Sequence, residues 1–218
     1  MLLVKQLFMQ EKLKCNKMRI TFFSLVAISL LLVSCGPAED PKYREKIAAH
    51  RMALNEQFFN PEETPLDSTS FYTWKGLKFF PIKESYKVKG KLTLLNNEPI
   101  FELPHSHNKS KPYKQYAKVS FTLLGMDHEL LILEQQIKKA GFENYLILPF
   151  TDETNGQETY GAGRYLDFEK STQTEIELDF NLAYNPYCAY NQAYTCPIPP
   201  KENHLPIKVE AGIKYEAK

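Results

Sequence analysis

The run Asp152 to Asp167 (DETNGQETYGAGRYLD) sets carboxylates, tyrosines and one arginine around three of the chain's nine glycines, which fall within eight residues. Glycine lets the backbone take positive φ or approach another group closely, so the cluster marks a tight loop between strands. It is not a phosphate loop: the Lys-Ser/Thr pair is missing and no helical pattern follows. From Cys35 onward the chain has 19 Lys but only three Arg, at positions 44, 51 and 164. Arg164, set among Gly and Tyr, suits bidentate binding of a carboxylate or stacking on a ring. Its partner is either internal, with Asp152, Glu158 and Asp179 as candidates, or an external anionic ligand. The internal partner is preferred.

A second constellation runs from Leu178 to Asn203, dense in Tyr, Asn and Pro. Tyr160, Tyr165, Tyr184, Tyr187 and Tyr190 can stack on sugars or peptides, and Asn181 and Asn185 can hydrogen-bond them, which makes a non-catalytic envelope ligand-binding or accessory domain, with a small molecule or glycan as candidate ligand, the leading functional reading. The alternative is a hydrolase-like enzyme with Glu158 and Asp179 as an acid/base pair, and Arg164 or Asn181 holding an anionic group. No nucleophile elbow, His-Glu-x-x-His helix or Ser-His-Asp order supports it. A third reading makes the same polar residues a buried network that specifies the fold.

Cys188 and Cys196 enclose seven residues in a Pro- and Tyr-rich loop. A disulfide is the natural expectation outside the cytoplasm, and closing so short a loop stabilises by ~2–3 kcal/mol in the chain-entropy model. Free thiols and, less favourably, a metal site are the competing readings; the close Cys pair and His partners of zinc are absent. His105 and His107 would share one side of a strand, but Pro104, Pro112 and the polar residues between them favour a solvated hairpin loop. Asp127-His128-Glu129 reads as a turn, and His50 as a partly exposed helix residue. No metal and no cofactor are expected.

These groups need elements to hold them. Asp40-Pro41 places a capping carboxylate before a residue suited to a first helical turn, and Tyr43, Ile47, Leu54 and Phe58 follow at helical spacing. A helix over Pro41 to Phe59, ending before Asn60-Pro61, is predicted. Beyond Ser70 the period becomes two. Tyr86, Val88, Leu92 and Leu94 share a face, which Gly90 interrupts as a bulge or bend would. Asn96-Asn97 turns the chain toward Ile100 to Leu103 as a hairpin. Further strands are predicted around Val119 to Leu123, Glu129 to Leu133, Tyr145 to Phe150, Thr174 to Phe180 and Ile207 to Ala211, with a short helical turn at Gln135 to Ala140. Short strands with turn-sized connections, and no helices for successive βαβ crossovers, give a mainly β, antiparallel barrel-like or sandwich fold with one N-terminal amphipathic helix.

The first residues carry an address. Ile20 to Val33 is an uninterrupted run of fourteen apolar and small residues behind Lys17 and Arg19. As a helix it would span ~21 Å, short of the ~30 Å hydrocarbon core, so it fits a signal-peptide core better than a membrane span. The run ends Leu32-Val33-Ser34-Cys35-Gly36, which is similar to the lipobox of bacterial lipoproteins. That resemblance implies cleavage after residue 34, a lipid-bearing Cys35, a tether over residues 35–40 and one globular domain over 41–218. A signal starting at Met18 has the more usual proportions. Gly36 resembles the outer-membrane sorting choice, so the expected home is the bacterial cell envelope, with the lipid bilayer as partner through acylated Cys35.

The overall charge of +1 hides this division. Five basic residues and one acid precede the apolar run's end; from Cys35 onward 22 basic residues face 25 acidic ones. A faintly acidic domain excludes nucleic acid as a partner, because phosphate neutralisation needs a clustered basic face.

Three separated motifs occur in order: Gly76-Leu77-Lys78-Phe79-Phe80-Pro81, the Asp152 to Asp167 run, and Asp179-Phe180-Asn181 followed by Asn185-Pro186-Tyr187-Cys188-Ala189-Tyr190 and Cys196-Pro197-Ile198-Pro199-Pro200-Lys201-Glu202-Asn203. Together they resemble the bacterial family called domain of unknown function 1684, from about Tyr43 to Tyr215. The resemblance implies a single shared domain and no assigned activity.

Overall fold

The computed structural model describes residues 40–215. The leader, the lipobox with Cys35 and most of the tether lie outside the described residues. Helix α1 (Pro41–Phe59) forms where the capping pattern predicts it: Asp40 Oδ1 accepts the Lys42 amide at 2.9 Å, and Asn60 ends the helix. Tyr43, Ile47 and Phe58 are its buried residues, while Leu54 is only half-buried. A five-residue helix α2 (Ser68–Tyr72) follows, capped by the side chain of Asp67.

Eight strands then build one sheet: β1 (Lys87–Leu94), β2 (Phe101–His105), β3 (Lys109–Leu123), β4 (Met126–Gln135), β5 (Tyr145–Asp152), β6 (Arg164–Glu169), β7 (Glu175–Asp179) and β8 (His204–Leu205). The order is β6-β5-β4-β3-β1-β7, antiparallel throughout, with β2 beside β3 and the two-residue β8 parallel to β5. The sheet curls into a nearly closed barrel, and its open seam falls between edge strands β6 and β7. Just past β7 the chain crosses that seam: Tyr165 and Tyr184 exchange backbone hydrogen bonds of 2.9 and 3.1 Å. A closed seam leaves fewer unpaired edge groups.

Asp127-His128-Glu129 is not a turn but lies in β4, just after the turn at Leu124-Gly125, and four further local expectations change. Asn96-Asn97 does not make a hairpin; β1 and β2 instead share one edge of the fifteen-residue β3, β2 on residues 109–113 and β1 on 117–121. Gly90 is no bulge, since it pairs regularly with Phe121 on one side and Ile176 on the other. Its missing side chain makes room: a Cβ there would lie 2.4 Å from Val119 Cγ2 and 2.8 Å from Leu178 Cδ1. The irregularity sits in β3, between Gln115 and Ala117. Gln135 to Ala140 is the end of β4 and a loop, not a helical turn.

The fourth concerns Ile207 to Ala211. It alternates like a strand, with Ile207, Val209 and Ala211 buried, but joins no ladder. Buried carbonyls must still find donors. Arg164 supplies them: Nη2 donates to Val209 O at 2.8 Å and Nη1 to Ala211 O at 2.5 Å. The core these elements enclose includes Val119, Leu148, Phe150, Leu178, Phe180 and Val209. A smaller cluster outside the barrel, with Leu103, Tyr113, Leu133, Ile147, Tyr165 and Cys196, forms the floor of a cleft.

Candidate functional site

The alternation of β6 separates two kinds of polar residue. Arg164 and Leu166 face the barrel core, whereas Tyr165 and Asp167 face out, over the smaller cluster. On neighbouring β5, Ile147 stands opposite Asp167, so Tyr145, two residues away, reaches diagonally toward the same carboxylate. Tyr184, brought in by the crossing segment, completes the group. Tyr145 OH donates to Asp167 Oδ1 at 2.7 Å and Tyr184 OH to the same oxygen at 2.5 Å. Among the described residues, Asp167 Oδ2 has no hydrogen-bond partner.

This trio sits in a cleft of about 750 Å3, which α1 borders with His50, Leu54 and Gln57. Phe142 lines it from the β4–β5 loop, and Tyr187 and Tyr194 from the segment after β7. Phe142 and Tyr145 meet edge to face at 5.8 Å, as do Tyr165 and Tyr184. Lys111, Lys138 and Lys139 also line it. A preformed apolar hollow with few convergent polar groups is the usual form of a small-molecule site.

Asp167 is reached by water through the cleft, yet surrounding protein desolvates its carboxyl enough to raise its pKa, against the lowering effect of the Tyr184 and Tyr145 hydrogen bonds. Burial, then the negative charge of Asp167, pushes the tyrosine pKa values far up, so both stay protonated donors. Burial and the neighbouring Arg51 cation lower the pKa of His50, which favours a neutral ring at neutral pH. The site offers a carboxylate acceptor, two fixed hydroxyls, a neutral imidazole and aromatic walls.

The residues singled out by sequence separate around it. Tyr165 and Tyr184 line the cleft; Tyr165 donates its hydroxyl to Pro197 O. Asp179 borders it but is 5% exposed and taken up internally, with Tyr43 OH at 2.9 and 3.0 Å from its two oxygens and the Asn181 amide at 3.0 Å. Asn181 is buried too, its Nδ2 donating to Tyr43 OH and Lys83 O, so it ties α1 to the chain before β1. Asn185, likewise buried, donates to Tyr190 OH at 3.0 Å.

Glu158 does not line this cleft; its carboxylate lies 3.7 Å from Lys208 Nζ. The expected acid/base pair therefore shares no pocket. Arg164 is 0% exposed and bonds Asp152 Oδ2 at 2.7 Å, the internal partner, which closes it to an external anion. Tyr160 and Tyr190 line a second, more polar hollow of about 860 Å3 with Trp74, Tyr215 and Cys188. His105 is buried rather than solvated and bonds Leu103 O through Nδ1, while His107 is exposed in the β2–β3 turn. Cys188 and Cys196 stand adjacent as free thiols, Cys188 N donating to Cys196 Sγ at 3.3 Å. No cluster of three His, Cys, Asp or Glu suited to a metal ion occurs among the described residues.

Asp167, Tyr145 and His50 were not distinguished by sequence reasoning. One signal was available: period two from Arg164 puts Tyr165 and Asp167 together on the opposite face. Nothing in the sequence brings Tyr145 or His50 to them, because the contacts come from strand pairing and from the docking of α1.

Fold and cleft define a small barrel-like β domain with a preformed pocket beside its seam. Residues 72–214 match the family described as protein of unknown function (DUF1684), and the chain belongs to that family. The match begins within α2, after α1. The solution NMR structure of an uncharacterized protein from Haloarcula marismortui is similar to it, with 31% identity over 80% of this chain and 95% of the other and a TM-score of 0.62. No curated protein matches the chain.

Proposed function

We propose that this protein is an outer-membrane lipoprotein of the bacterial cell envelope whose domain binds a small hydroxylated ligand, a sugar or glycan fragment in class, in the Asp167 cleft. The observation that carries the ligand reading is the free Oδ2 of Asp167, on a carboxylate held by Tyr145 and Tyr184 inside aromatic walls. Such a carboxylate accepts a hydroxyl hydrogen bond while ring faces take up the C–H surface of a sugar. The address rests on the apolar run and on Leu32-Val33-Ser34-Cys35. Multiple acyl chains on Cys35, at ~0.8 kcal/mol per buried methylene, would anchor the domain to the bilayer. In an oxidising envelope the neighbouring Cys188 and Cys196 would rest as a disulfide.

A hydrolase reading has lost the shared pocket of its carboxylate pair, and the hydrogen-bond partners of Asp167 are tyrosines. Binding is therefore preferred. A thermal-shift screen of mono- and oligosaccharides tests it: at least one sugar should raise the melting temperature of the wild type and of Glu158→Gln but not of Asp167→Asn. No shift with any sugar would refute the glycan class. Metabolic labelling with radioactive palmitate should mark the wild type and not Cys35→Ser; an unlabelled wild type would refute the anchor.

A further inference from the structure

Cys188 and Cys196 are unlike in everything but their proximity. Cys188, in the turn Tyr187–Ala189, is half-buried and lines the second hollow beside Tyr160. Cys196 is 9% exposed and faces the cleft on the other side of the loop. Its backbone is fixed to the β2–β3 turn: Cys196 N donates to Ser106 Oγ at 3.1 Å and Ser106 N to Cys196 O at 2.9 Å. Ile198 N bonds Pro104 O at 2.8 Å, which pins the next residues as well. The Cys188 amide reaches the Cys196 sulfur at 3.3 Å, which holds the two side chains side by side. The half-buried thiol that lines an open hollow is the one an outside disulfide meets first, whereas its buried, backbone-fixed neighbour is placed to act second.

The geometry points to a redox-active pair, in which Cys188 is the attacking and Cys196 the resolving thiol of thiol–disulfide exchange with a small or peptide disulfide. Cys188 thiolate attacks one sulfur of RSSR; a Cys188–SR bond forms, the S–S bond of the substrate breaks, and the released RS⁻ takes up a proton. Cys196 then gives its proton to water and its sulfur attacks the Cys188 sulfur. The bond to R breaks and the second RS⁻ leaves and is protonated. The pair has lost two electrons and two protons, and RSSR has become two RSH. The reverse sequence, with two thiols as reductant, returns the dithiol. This shares with the functional reading above only the bond between the two cysteines, and depends neither on the cleft ligand nor on the membrane anchor.

The ionisation of the thiols agrees with the assignment. Hydrogen bonding from Cys196 brings the Cys188 thiol down to about 7 against the opposing effect of burial. The same bond, with burial, drives the Cys196 thiol upward. Tyr113, Tyr160, Tyr165, Tyr215 and Lys111 are the other ionisable groups that interact with the pair.

The test is oxidation of the reduced, full-length chain in detergent by oxidised glutathione, followed by alkylation and chymotryptic mapping, since Tyr190 and Tyr194 lie between the cysteines. Cys196→Ala should accumulate a stable glutathione adduct on Cys188, the wild type should pass on to the internal disulfide, and Cys188→Ala should leave Cys196 at least about tenfold slower to react. The alkylation rate at Cys188 should rise with a midpoint near pH 7. The rates at both wild-type cysteines need no variant and decide the matter if either variant fails to fold. Equal rates at the two cysteines, or a Cys188 midpoint at the ~8.5 of an ordinary thiol, would overturn the proposal. An internal disulfide that forms but resists millimolar dithiothreitol in the folded protein would also overturn it, while leaving the bond itself established.

Discussion

Asp152 and Asp167 lie on adjoining strands, fifteen residues apart, and each carboxylate is held by hydroxyl or guanidinium donors. Asp152 is 3% exposed and has no acceptor to spare: Oδ1 takes Thr154 N, Thr154 Oγ1 and Val209 N, and Oδ2 takes Arg164. Asp167 stands open to the cleft with both donors on one oxygen and the other free. The first carboxylate is complete within the chain, so its work is to fasten the C-terminal segment across the end of the barrel. The second is accessible from the cleft, so a donor from outside the chain can reach it. Accessibility of the carboxylate, rather than richness in unusual residues, separates the two regions.

The largest break in this contrast should come from Arg164→Met. It leaves Asp152 buried without its cation and Val209 and Ala211 carbonyls without their donor, a loss of ~3–5 kcal/mol measurable by urea unfolding. If stability were to change by less than ~1 kcal/mol, the network would not be the fastener described. Tyr43→Phe should cost about 2 kcal/mol, since one hydroxyl serves both oxygens of buried Asp179. Its melting curve should still be cooperative, because Asn181 continues to hold the carboxylate.

Asp167→Asn should have the smallest effect on stability, and a distinctive sign. A carboxyl whose pKa rises on folding binds its proton more tightly in the folded state, so its contribution falls as pH climbs from the unfolded value through the folded one. Above that window the wild-type charge is a small burden, screened because water reaches it. Asp167→Asn should thus melt slightly above the wild type at pH 7 and level with it near pH 3. A variant markedly less stable at pH 7 would place Asp167 among the structural carboxylates.

Much of the architecture was legible because local chemistry and final structure agree. Asp40-Pro41 and Asn60-Pro61 bound α1, and alternation located most strands. The errors have a common cause. Whether Asn96-Asn97 makes a hairpin, or Ile207 to Ala211 a strand, depends on which partner an edge finds, and that information is non-local. Gly90 shows the same limit, for the glycine is required by Val119 and Leu178 packing from opposite neighbours. Gly163 is different: its φ of 97° and a would-be Cβ 2.5 Å from Phe150 O give the local reason the run before Arg164 contains glycine. The sequence drew notice to the run Asp152 to Asp167, and the cleft carboxylate is its last residue, on the face of β6 opposite Arg164.

In the proposed site Asp167 is the recognition group, whereas Arg164 is closed within the chain. Isothermal titration of the first sugar identified by thermal shift, against wild type, Asp167→Asn and Glu158→Gln, tests this directly. Asp167→Asn should lose roughly tenfold or more in affinity, equivalent to one charged hydrogen bond, while Glu158→Gln binds as the wild type does. Undiminished binding by Asp167→Asn, with loss in Glu158→Gln, would contradict the account and move the site to the glycine-rich loop.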